Sequence, residues 1–189
     1  PRATTTKGSD GRYAPHAERT YALRNWILPL CVGQPYFDEV IVVGEWEPGP
    51  GYRYIHVPSV HFSSVDALAQ RQAGFDASHG DTIVHMHDDH ILEGIEEPGL
   101  WDVVVPERWT RLRDPRGETL PNGLEKGYIS GHCAIYKRAV LERCPWRAVP
   151  AIRAWDVKHT EQITAAGFRL GQAIGLRCWD MEKGSTPWL

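Results

Sequence analysis

Gly80-Asp81-Thr82-Ile83-Val84-His85-Met86-His87-Asp88-Asp89-His90 is the stretch on which the reading of this chain turns. Gly80-Asp81 is a turn signal, and Thr82 to Met86 is a β-branched, apolar run of strand length. Five side chains able to ligate a metal, His85, His87, Asp88, Asp89 and His90, fall within the six residues from His85 to His90. The carboxyl ends of parallel strands are the edge at which α/β folds bind ligands. Imidazoles and carboxylates crowded at such an end point to a metal or ligand site rather than to groups that merely satisfy one another.

Upstream, Ser63 or Ser64 is placed to cap a helix over Val65 to Ala77. Tyr52 to Val57 alternates as a strand after the Pro/Gly-rich turn at Pro48 to Gly51. Glu39 to Val43 is an uninterrupted apolar run expected of a strand buried on both faces. His16 to Cys31 suits an amphipathic helix, fed by a short strand at Ala3 to Thr6. Downstream, Trp101 to Val105 predicts a strand, Arg111 to Gly127 a polar loop, and Tyr128 to Tyr136 a strand. Lys137 to Arg143 and Val157 to Ala166 predict helices, the latter ending at Gly167. Strands alternating with helices imply an α/β fold with a mostly parallel central sheet flanked by helices.

The chain has 189 residues, suited to a single domain over 1–189, and its 42% hydrophobic and 24% charged residues are near the globular average. A net charge of −3 gives no basic footprint for nucleic acid. Cys31, Cys133, Cys144 and Cys178 lack CxxC spacing and are expected as reduced, buried thiols. No run approaches the ~20 apolar residues of a membrane helix, and no charged-then-apolar leader opens the chain, so a cytoplasmic protein without a membrane partner is expected.

Two families share features with the central stretch. Its literal pattern, H-x-H-x-D-H, resembles metallo-β-lactamase-like hydrolases, which hold Zn2+ to activate water. Under that resemblance Gly131-His132 stands in for the next histidine, and Asp156 and His159 for later ligands. Its surroundings resemble the Asp-x-Asp region of family 2-like glycosyltransferases of the GT-A fold. Gln70-Arg71-Gln72-Ala73-Gly74 is similar to that family's Arg-Asn-x-Gly helix, with Gln72 for the asparagine. Val40-Ile41-Val42-Val43-Gly44-Glu45 resembles its second strand, with Gly44 for the first acid. Ser130-Gly131-His132-Cys133-Ala134-Ile135-Tyr136-Lys137-Arg138 is similar to the strand that walls the donor sugar. Ala154-Trp155-Asp156 resembles the Glu-Asp motif, with Trp155 for the first acid, and Ala165-Ala166-Gly167-Phe168-Arg169-Leu170-Gly171 its Ala-Gly-Tyr-Arg turn.

These pieces occur in the family's order over about Thr4 to Trp179. A metallo-β-lactamase-like chain should instead open with a β-meander and an Asp-Thr-Gly turn, and its later aspartate should end a strand rather than begin a helix. The glycosyltransferase resemblance implies an enzyme that moves a sugar from a nucleotide-diphosphate sugar to an acceptor hydroxyl with inversion. Mn2+ or Mg2+ is the implied metal, and a UDP-sugar the implied donor. Asp156 is the implied base. Asp89 is the first metal ligand, joined by Asp88, His87 or His90; the register is either His87-x-Asp89 or Asp88-x-His90. Asp180 lies near a late ligand position. Thr5, Thr6, Glu45, Arg71, Asp88 and His132 are implied for the donor, and Trp155 for an acceptor. The acceptor is open, a macromolecule such as modified DNA included. A non-catalytic nucleotide-binding module is the third reading.

Overall fold

The computed structural model describes residues 28–58, 64–87, 90–93, 98–111, 119–121, 127–129, 133–150 and 154–180. The expected strand at Ala3 to Thr6 and most of the helix before Cys31 lie outside them; α1 is Leu28–Val32. Strands β1 (Ile41–Gly44) and β2 (Arg53–His56) pair in parallel. Helix α2 (Ser64–Ala77) follows, then β3 (Thr82–Met86) and β4 (His90–Glu93). β5 (Val103–Arg111), β6 (Thr119–Pro121) and β7 (Cys133–Lys137) come next. Helix α3 (Arg138–Arg143), a 3-10 turn at Trp146–Ala148, helix α4 (Trp155–Ala165) and β8 (Leu170–Asp180) complete the described fold. Among the described residues no helix is long and apolar enough to cross a membrane.

The larger sheet has six strands in the order β3-β7-β5-β8-β4, with β6 on β5. It is mixed rather than mostly parallel. β5 and β8 run parallel, whereas β3–β7, β5–β7, β4–β8 and β5–β6 are antiparallel. Within this sheet the connections agree with the directions, since a parallel pair is usually joined by a long helical crossover, although β1 and β2 of the smaller sheet pair in parallel across residues 45–52 alone. A long crossover, carrying α3 and α4, separates β5 from β8. Between β3 and β7 no helix occurs among the described residues. The loop expected from Arg111 to Gly127 is in part strand, because β5 continues through the polar Glu107 to Arg111 and pairs with β6.

Both faces of the central strands are covered, which their unbroken apolar sequence anticipates. Val103, Val105, Ala134 and Tyr136 pack with Val140, Leu141, Trp146 and Ile163 on one side. Val104 and Ile135 pack with Ala173 and Leu176 on the other. Gly167, at φ 85°, ends α4 in the left-handed conformation, and the Phe168 N–H donates to Ile163 O at 3.2 Å. Cys31, Cys133 and Cys144 are free thiols.

Arg138 fixes where β3 begins. Its backbone N–H donates to Asp81 O at 2.7 Å, its Nε to Gly80 O at 2.7 Å and its Nη2 to Ser78 Oγ at 2.8 Å. Gln72 does comparable work for the 3-10 turn. Its Nε2 donates to Asp76 at 2.7 Å while its Oε1 accepts from the Arg147 N–H at 3.0 Å. The longer amide in place of asparagine thus ties α2 to the turn that carries Trp146.

Candidate active site

Helix α2 spans the ends of β1 and β3. Gly74 brings the helix close enough to β1 that an added Cβ would lie 3.2 Å from Val43 Cγ2. One turn earlier Gln70 lies over Gly44, whose φ of 135° suits glycine where the resembling family carries an acid. The next residue, Arg71, reaches the end of β3, where its Nη2 donates to His87 Nε2 at 2.5 Å. Glu45 follows β1 directly and is exposed. The Tyr54 hydroxyl braces this chain end by donating to Gly44 O at 3.0 Å and accepting from the Trp46 N–H at 3.2 Å.

Arg71 is only 7% exposed. Its guanidinium carbon lies 4.2 Å from the centroid of the Trp155 ring, a cation–π stack that α4 supplies. Burial pushes its pKa down to about 10, while nearby Tyr136 and Asp156 pull it upward, so it stays charged at neutral pH. Asp156 sits in the first turn of α4, where its Oδ1 accepts from the Val157 N–H at 2.9 Å. A carboxylate at a helix N-terminus is stabilised by the macrodipole. A buried cation, a carboxylate and an indole are therefore gathered beside the strand end that leads into Asp88 and Asp89.

Beneath them lies a stack of rings. His85 and His87 meet edge to face at 5.8 Å, and His87 and His90 at 5.6 Å. Trp146, 1% exposed, stands 5.6 Å from His85, 5.6 Å from Tyr136 and 5.7 Å from His159. Burial holds His85 well below the ordinary histidine range, and the positive charge of Arg71 acts the same way. Burial likewise raises the Tyr136 phenol, against the pull of Arg71.

His159 Nε2 donates to Cys144 O at 2.9 Å, since a carbonyl can only accept. Burial pushes its pKa down to about 4; the Cys144 bond opposes this and Arg71 adds to it. Below its unfolded value near 6.5 the unfolded chain therefore binds a proton that the folded chain refuses. Stability should fall as pH drops from about 6.5 to about 4, by roughly 3 kcal/mol from this residue, and level off below. Urea titrations across that window should show His159→Gln, which keeps a donor for Cys144, losing that part of the slope. An unchanged slope would mean that His159 is not the buried neutral group described.

Of the sequence-predicted residues, the structure brings together Arg71, His87, His90, Trp155 and Asp156, and places Glu45 directly after β1, in the smaller sheet. Thr5, Thr6, Asp88, Asp89 and His132 lie outside the described residues. β8 ends at Asp180 directly opposite His90, so the register sets these two positions side by side. No group of three metal-ligating side chains forms among the described residues. His87 and His90 nonetheless bracket Asp88-Asp89 with rings 5.6 Å apart, and such carboxylate and imidazole donors suit a divalent cation. His159, a later ligand under the hydrolase resemblance, is turned to Cys144 instead. Tyr136 and Trp146 were not legible as site residues, because an apolar strand and a lone tryptophan look the same in any core.

No family model matches the chain, and no curated protein matches it. Among solved structures it is similar to the mannosyltransferase PcManGT from Pyrobaculum calidifontis, in complex with GDP-Man and Mn2+, with a TM-score of 0.54 at 17% identity. The match covers 84% of this chain and 52% of that enzyme, so the chain spans about half its length. The fold is glycosyltransferase-like.

Proposed function

We propose that this protein is a metal-dependent glycosyltransferase that moves a sugar from a nucleotide-diphosphate sugar to an acceptor hydroxyl with inversion. The observation that carries this reading is the meeting of Asp156, Arg71 and Trp155 at the end of β3, in a glycosyltransferase-like fold. Asp156 accepts the acceptor's proton as its oxygen attacks. Arg71 sets fixed positive charge beside the donor, where negative charge grows as the diphosphate departs. Trp155 is half-buried, stacked with Arg71 and packed against the core, and the part of it that stays exposed meets an acceptor. Glu45, with Thr5 and Thr6, meets the base and ribose, and His132 lines the donor sugar. Asp89, Asp88 and His90 hold Mn2+ or Mg2+, which when bound neutralises diphosphate charge.

A UDP-sugar is the donor expected from the family resemblance; PcManGT was captured with GDP-Man. The test is a thermal-shift titration with UDP, GDP, CDP and dTDP, each with and without manganese. One nucleotide should stabilise the protein in a metal-dependent way, by about 2.7 kcal/mol at ~100 times its dissociation constant. No shift with any nucleotide, in protein that carries stoichiometric zinc, would favour the hydrolase.

A further inference from the structure

We infer that Arg71 is a positioning residue for His87, fixing its proton on Nδ1 and keeping its Nε2 out of the metal's ligand set. The inference rests on the transferase reading for the metal itself; the pairing stands on geometry. A guanidinium has donors only, so at 2.5 Å from Arg71 Nη2 the His87 Nε2 must be the acceptor. With that lone pair engaged, a ring proton belongs on Nδ1. A cation at Nε2 would have to displace the guanidinium and then sit against its charge. That displacement is resisted from a second element, because Trp155 stacks on the guanidinium at 4.2 Å and Arg71 is 7% exposed.

The His87 ring is held as well, edge to face with His85 at 5.8 Å and with His90 at 5.6 Å. Helix α2, the residue that follows strand β3, and helix α4 each supply one member of the unit. The consequence is a division of labour among residues that look equivalent in sequence. Under the transferase reading, the cation is left to the other candidate ligands, Asp88, Asp89 and His90. Of the two registers open in the sequence, the one that uses His87 as a ligand is disfavoured.

Long-range 1H–15N correlation spectra of the full chain, with histidines labelled and His87 identified through His87→Gln, decide this. His87 should show a protonated Nδ1 and an unprotonated, hydrogen-bonded Nε2. Adding Mg2+ and then UDP or GDP should shift His90 and leave His87 Nε2 unchanged. Arg71→Met should abolish the tautomer preference and Arg71→Lys should restore it in part; the unmodified protein decides the question if either variant fails to fold. A proton on His87 Nε2, or an Nε2 resonance that moves onto the cation, would overturn the inference. If no histidine responds to Mg2+ with any nucleotide while His87 keeps its tautomer, it is the transferase reading that fails and the pairing that stands.

Discussion

Asp156→Asn is expected to lower the rate of sugar transfer by roughly 100- to 10,000-fold while nucleotide binding survives, the range general-base catalysis contributes. The substitution is close to isosteric. An asparagine oxygen can still accept from the Val157 N–H, which now bonds Asp156 Oδ1 at 2.9 Å. The bond from Thr160 Oγ1 to the Asp156 carbonyl, 2.8 Å, belongs to the backbone and is unaffected. What disappears is the charge, worth about 0.3–1 kcal/mol at a helix N-terminus, and the ability to take a proton. Steady-state rates beside thermal shifts with nucleotide separate the two. Full turnover in Asp156→Asn would place the base elsewhere. If the unmodified protein transfers no sugar and hydrolyses no donor while still binding nucleotide, the non-catalytic module becomes the better reading.

The two ends of this site differ in how legible they were. β3 falls at Thr82–Met86, as its apolar run predicts, because the Gly80-Asp81 turn before it and the polar residues after it leave no other register. α2 and α4 begin within one or two residues of expectation, and Gly167 with its positive φ stops α4 where the sequence places its end. Strand direction was not legible. Val103 to Val105 and Cys133 to Tyr136 are apolar enough to be buried on both faces of either kind of sheet, and that pattern does not set which forms. Trp155 shows the same limit at the level of a side chain. Its sequence neighbours suggested an acceptor platform, yet one face is stacked with an arginine 84 residues earlier in the chain, a pairing no local pattern encodes. Gln72 and Gly44, which depart from the family's pattern, are explained by contacts with Arg147 and by a positive φ.

Trp146→Ala should cost about 3–5 kcal/mol, the range for removing a buried aromatic ring from a core. Domains of this kind are stable by only about 5–15 kcal/mol, so the variant should be largely unfolded at modest urea concentrations. Trp146 is 1% exposed and stands at the centre of the ring stack, with Phe75 at 6.4 Å in addition to His85, Tyr136 and His159. Its indole N–H has no hydrogen-bond partner among the described residues, so the loss is one of packing alone. Trp146→Phe should therefore recover most of the stability. Urea denaturation gives both values, with unchanged m showing a change in stability at constant surface exposed on unfolding. A cost below 1 kcal/mol for Trp146→Ala would mean that the rings do not support one another. The position of His87, held by His85, His90 and Arg71, would then depend on His90 and Arg71 rather than on the ring stack.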